Sequence, residues 1–247
     1  MSNDLIPSDV FGAVSTQSAS DEDFASLGNS SGFLRRIDLK SKGKLIDKGI
    51  VKPGHYCVVK SSEDADDLGD SIDILPLARR AKAIDMNDTE QVVVTYDRHS
   101  DLFKDIEKRA GRPNSRCQFG ASFLVVERST GQLFELFLGS ASNRREVGAV
   151  SNFLRLTADD IKRRGWTDVE PRGPLPLTLK SKLVENKAKG FSWFVMVPKP
   201  CSSPFTKNQI PSGDILKAEI EKFLTPDDGN KPEVQTAADS GNTKRAR

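Results

Sequence analysis

The chain has 247 residues, 36% of them hydrophobic, and a formal net charge of only +2. No apolar run approaches the ~20 residues of a membrane-spanning helix, and three widely spaced cysteines, Cys57, Cys117 and Cys201, read as reduced packing residues rather than a disulfide framework. The small net charge hides a separation: residues 1–30 carry five acids and no Lys or Arg, residues 225–247 carry four of each sign, and residues 31–224 hold 33 bases against 26 acids, a net +7.

A basic core seeks polyanions, and an acidic tail attached to it can compete for the same surface. Residues 1–30, rich in Ser, Asp, Ala and Gly, lack the apolar content to offset the entropy of ordering, and the tract 225–247 has the same character. The expected organisation is therefore a disordered acidic N-terminal tail, one folded unit over 31–224 and a disordered C-terminal tail. The opening MSNDLIPSDV has neither the basic n-region nor the apolar h-region of a secretory signal, so the expected compartment is cytoplasmic.

Within 31–224, strand signals dominate. FLRRIDL (33–39) is a short strand. HYCVVK (55–60) follows the turn signal KPGH. SIDILPLARRAKAID (71–85) is a long extended run in which Pro76 calls for an edge, a bulge or a bend. QVVVTY (91–96) is β-branched. DLFKDIEKRA (101–110) sets Leu102, Phe103, Ile106 and Ala110 at helical spacing. ASFLVVER (121–128) and GQLFELFLG (131–139) flank Ser129-Thr130 as a hairpin. A helix starts near Ser142, with a second helical turn at 157–165. LPLTLKSKLVE (175–185) alternates, FSWFVMVP (191–198) is a further strand, and SGDILKAEIEKFL (212–224) is an amphipathic helix. About eight strands and three or four helices predict a mainly β, α+β fold: an antiparallel OB-like Greek-key barrel or curved sheet with attached helices.

Alternation gives 175–185 a Leu face (Leu175, Leu177, Leu179, Leu183) and a face bearing Thr178, Lys180 and Lys182. The lysine row fits a phosphate track, and equally a solvated or lysine-protected edge strand. Further basic clusters are Arg35, Arg36 and Lys40; Arg79, Arg80 and Lys82; and Arg144 and Arg145, the last pair opening a helix, where backbone N–H groups attract anions. Single strands are held by phosphate contacts and by bases stacked on rings, for which Tyr56, Phe191, Trp193 and Phe194 are the candidates. Phe191 and Trp193 share one strand face, with Phe194 on the other.

Catalytic signatures are missing. The chain has no GxxxxGK[ST], GxGxxG or GxSxG. His55-x-Cys57 lacks the close second pair of a zinc site. The acids from Glu63 to Asp73 depart from the EF-hand spacing and read as a solvated loop. No catalytic residue, metal or cofactor is expected.

Taken together, GHYCVVK, LGDSIDILPLARRAKAID, CQFGASFLVVERSTGQLFELFLGSASNRRE, LTLKSKLVE and PCSSPF resemble an uncharacterised family encoded by tailed bacteriophages. The resemblance covers residues 33–224 and carries no catalytic motif. Members look like virus-encoded single-stranded-DNA-binding proteins with an OB-fold core. It implies a non-enzymatic protein of phage replication or recombination in the host cytoplasm, with single-stranded DNA, replication proteins and a second copy of itself as partners. Such proteins often end in an acidic C-terminal tail, whereas this chain ends in KRAR and carries its acids at the other end. A virion structural or assembly protein and a host-directed inhibitor are the rival readings, and a nuclease is the least favoured.

Overall fold

A computed structural model describes residues 34–61, 63–87, 92–110, 112, 115–139, 144–163, 175–187, 190–211 and 213–225. The two expected tails lie outside these residues, Thr225 excepted. The fold is built on one long strand, β4 (Ser71–Asp85). One edge of β4 pairs antiparallel with β6 (Cys117–Glu127) over Ile74–Asp85. Its other edge is shared. Ser71–Ile74 pair with β8 (Leu177–Asn186), and Ala83–Asp85 pair with β5 (Val93–Thr95).

The remaining strands are β1 (Arg36–Leu39), β2 (Tyr56–Val59), β3 (Ala65–Gly69), β7 (Leu133–Leu138) and β9 (Phe191–Pro200). They complete a nine-stranded sheet in the order β3-β2-β1-β7-β6-β4-β8-β9, with β5 beside β4. The α+β expectation holds. The purely antiparallel one does not, because β1 lies parallel to β7, with Ile37 opposite Leu136. Among the described residues no pairing joins β9 to β3, so the sheet is not closed into a barrel. A parallel neighbour is reached by a long crossover, which local periodicity cannot reveal.

Helices cover both faces. Ile37, Tyr56, Ile74, Phe123, Leu136 and Leu177 form the core of the first face. The long helix α3 (Arg144–Arg163) closes over it with Val147, Val150, Phe153 and Leu154, at the spacing of one helical stripe. This single helix runs from the first helical piece expected from sequence into the second, through Arg163. On the same face, α2 (Asp101–Arg109) packs Phe103 and Ile106 against Ala83 and Cys117. The Ser100 hydroxyl accepts from the Phe103 N–H at 3.2 Å and caps α2. The second face is covered by α4 (Gly213–Leu224), whose Leu216, Ile220 and Phe223 meet Leu75, Leu124 and Val126. A four-residue helix, α1 (Lys44–Asp47), sets Leu45 against Val51 and Cys57.

Pro76 marks a bulge. The β4–β6 register shifts between Pro76 and Ala78, leaving Leu77 as the extra residue. One added residue reverses which side chains point to which face. Ile72 and Ile74 face α3, yet beyond the bulge it is Ala81 and Ala83 that share that side, opposite Ala121 and Phe119. The bulge thus sends Arg79 to the first face and Arg80 and Lys82 to the second.

Candidate nucleic-acid interface

Strands β8 and β9 pair along their full length, from Leu177↔Pro200 to Asn186↔Phe191. Only Leu177–Lys180 have β4 on the other side, so beyond Lys180 the hairpin leaves the sheet as a two-stranded ribbon. Leu177 and Leu179 are fully buried, as the alternation predicts, but Leu183 is 45% exposed because β4 has ended. The ribbon is held instead from the loop before β2. The Phe194 N–H donates to the Ser41 hydroxyl at 3.1 Å. The Phe194 ring lies directly over Gly54, whose φ of +82° and lack of a Cβ permit the approach.

The opposite face of the ribbon carries the lysines. Residues paired across an antiparallel ladder share a face. Thr178↔Lys199, Lys180↔Val197, Lys182↔Val195 and Val184↔Trp193 therefore lie together. Lys180, Lys182 and Lys199 are exposed, and Trp193, Val195 and Val197 are half-buried. Among the described residues none of the three lysines has a hydrogen-bond or ion-pair partner. Two successive same-face residues on a strand are about 7 Å apart. The result is a row of uncompensated ammonium groups beside an apolar strip ending in an indole. Lys199 escaped the sequence reading. The signal was its continued alternation with Val195 and Val197, past Pro198.

Four of the other basic residues, Arg36, Lys40, Arg80 and Lys82, are paired within the fold. Arg36 and Lys40 both pair with Asp38, at 2.6 and 3.0 Å. Burial pushes the Asp38 carboxyl up, but the two cations outweigh it and hold it below the usual carboxylate range. Arg80 is stacked between Tyr96, 3.6 Å from the ring centroid, and Phe223, at 4.1 Å, and donates to the Phe223 carbonyl at 2.9 Å. Lys82 is buried, with Nζ 2.5 Å from the Glu135 carboxylate. The Ser122 hydroxyl donates to the other Glu135 oxygen, also at 2.5 Å, and Arg80 stands 3.6 Å away. These side chains are engaged within the sheet, two cations to one carboxylate in each group. Arg35 donates to the Gln132 side-chain oxygen and lies over Phe134.

No family model, curated protein or solved structure matches this chain.

Tyr56 is fully buried in the first-face core, so its ring is not presented for stacking. Burial, with Glu146 nearby, pushes its hydroxyl above the ordinary tyrosine value. The Arg144 and Phe191 side chains lie outside the described residues, and Arg145 is exposed at the start of α3. Arg79 is exposed on the first face, the side of the sheet opposite the lysine row. The predicted cations thus do not converge; Lys180, Lys182 and Trp193 do.

The acidic stretch is edge strand β3 and its flanks rather than a solvated loop. Four of its six carboxylates are matched, Glu63 with Lys48 and Asp66 with Lys60 (each 2.5 Å), Asp67 with His55 (2.8 Å) and Asp73 with Arg128 (3.3 Å), while Asp64 and Asp70 are exposed. Among the described residues no three His, Cys, Asp or Glu side chains are grouped to hold a metal ion, and no helix is long and apolar enough to cross a membrane.

Proposed function

We propose that the protein is a non-enzymatic single-stranded-DNA-binding protein that coats exposed strand during phage replication or recombination. The observation that carries this reading is the face of the β8–β9 ribbon turned away from the first-face core, where three exposed lysines, unpartnered among the described residues, flank the half-buried Trp193, Val195 and Val197. Cations that follow the backbone beside a ring that takes a base are the chemistry of single-strand binding. The phage setting rests on the sequence resemblance. This reading takes from the OB-like expectation only a strand-borne binding face; a closed five-stranded barrel is not part of it.

The test is fluorescence anisotropy of labelled oligo-dT over a salt series, with duplex of equal length as competitor. Single strand should displace the probe far better than duplex, and affinity should fall with salt. Replacing Lys180 and Lys182 together by Ala should reduce the salt slope by about one to two units. An unchanged slope takes the ribbon off the DNA track. Equal, weak binding to both competitors reduces the basic core to generic attraction and brings the virion and host-partner readings forward.

A further inference from the structure

The first face of the sheet is recessed between α2 and α3. Ala81 and Ala121 lie directly opposite each other there, next to Gly120, so the sheet offers a floor of small residues at this point. Phe103 of α2 and Val147 of α3 wall the recess, with Phe119 and Leu138 from the sheet itself. The cavity measures about 460 Å³, within the range of small-molecule sites. Gly120 cannot be enlarged, because a Cβ would overlap the Leu138 carbonyl.

Charge on this cavity has one sign. Among the described residues, Arg79, Arg80 and Arg98 line it and no carboxylate does. Arg80 is occupied by Tyr96, Phe223 and the Phe223 carbonyl. Arg79 and Arg98 are exposed at the rim, and among the described residues neither has a partner. Arg36, Arg109 and Arg128, by contrast, have carboxylates beside them. Two free guanidinium groups above an apolar recess select a ligand with an anionic end and an apolar body. The guanidinium fork matches phosphate oxygens in pairs, and phenyl walls suit a flat ring, which stacks on aromatic faces.

We infer that this cavity binds one nucleoside monophosphate unit, base against the Ala81–Ala121 floor and phosphate on Arg79 and Arg98. The unit is either a free mononucleotide or one nucleotide of a bound strand. In the second case the site rests on the single-strand-binding reading and extends it. The cavity and the lysine row occupy opposite faces of the sheet, so the two sites can fail separately.

The experiment is isothermal titration calorimetry of the full chain with thymidine 5′-monophosphate, thymidine and inorganic phosphate, alongside oligo-dT anisotropy. The nucleotide should bind at least about tenfold more tightly than either fragment, and Arg79→Ala/Arg98→Ala should lose about tenfold or more. Ala81→Leu, which fills the floor and leaves every charge in place, should also lose it. Lys180→Ala/Lys182→Ala should bind the nucleotide as the wild type does. A nucleotide no tighter than inorganic phosphate, or one indifferent to both cavity variants, overturns the site. If Arg79→Ala/Arg98→Ala also weakens oligo-dT, the ligand is part of a strand; if only the mononucleotide is lost, it is free nucleotide. Nucleotide binding without any oligo-dT binding sinks the ribbon reading and leaves the cavity standing, and the converse sinks the cavity alone.

Discussion

Replacing Glu135 by Gln removes one charge from the middle of the sheet while keeping shape and an oxygen for the Ser122 hydroxyl. Glu135 and Lys82 are each 8% exposed at the side chain, and Arg80 is 15% exposed, so the variant strands an ammonium group where water cannot reach it. Breaking a buried pair from one side costs about 3–5 kcal/mol, a large part of the roughly 5–15 kcal/mol that holds a typical domain folded. With a urea slope of about 3 kcal/mol/M, the upper end of the usual range and suited to a fold of this size, the unfolding midpoint at neutral pH should fall by about 1–2 M. Converting Lys82 to Met in the same chain removes the stranded cation and should restore much of the loss. Acid adds a second readout. Burial works to raise the Glu135 carboxyl, but Lys82, the Ser122 hydrogen bond and Arg80 outweigh it and hold the group below the usual carboxylate range. A depressed folded-state value means the contribution is complete above the unfolded value of about 4.3 and disappears as pH falls through the lower folded value. The gap between wild type and Glu135→Gln should therefore close in acid. A midpoint within about 0.3 M of wild type, or a double variant no more stable than the single one, would refute the buried-pair account.

Gly54→Ala forces a side chain into a left-handed backbone and into the Phe194 ring. It should cost about 1–3 kcal/mol and speed proteolysis of the β8–β9 ribbon. Gly49→Ala has a similar φ, +71°, with open space around it, and should cost less; equal losses would show that the ring contact contributes nothing. Burial pushes the Cys57 thiol up to about 11, so at pH 8 it should resist an aromatic disulfide reagent until denaturant is added. Half-buried Cys201 should react first, and rapid native labelling of Cys57 would contradict its placement. Deleting residues 1–30, with five acids and no bases, should tighten oligo-dT binding at low salt; unchanged affinity would end the competition idea.

Runs with a single local cause were legible in the sequence. The bounds 71–85 emerged intact as β4, because β-branched and apolar residues continue on both sides of Pro76. The β6–β7 hairpin was legible from its turn. There the Glu127 carboxylate accepts from the backbone N–H groups of Ser129 and Thr130, at 2.8 and 2.9 Å. What stayed hidden depends on partners far along the chain. ADDLG has poor strand propensity and is a strand because it pairs with β2. LARRAK reads as a basic patch, yet the partner that neutralises Lys82 is 53 residues away. The bulge at Leu77 splits that cluster between two faces, which alternation alone cannot foresee. That Lys180, Lys182 and Trp193 share one face needed only the register of two regular, adjacent strands.

The parallel β1–β7 pair has a consequence for the timing of synthesis. Strands β1, β2 and β3 are an antiparallel meander that is complete early in the chain, but its only strand neighbour on the inner side is β7, about a hundred residues later. At about 5–20 residues per second, a ribosome takes roughly 5–20 s to produce the missing strand. Throughout that interval Arg36–Leu39 presents an unpaired edge with Ile37 uncovered, which is the arrangement that recruits strands from other chains. The meander is the first part of the sheet to be made, and it waits with one edge open until β7 emerges.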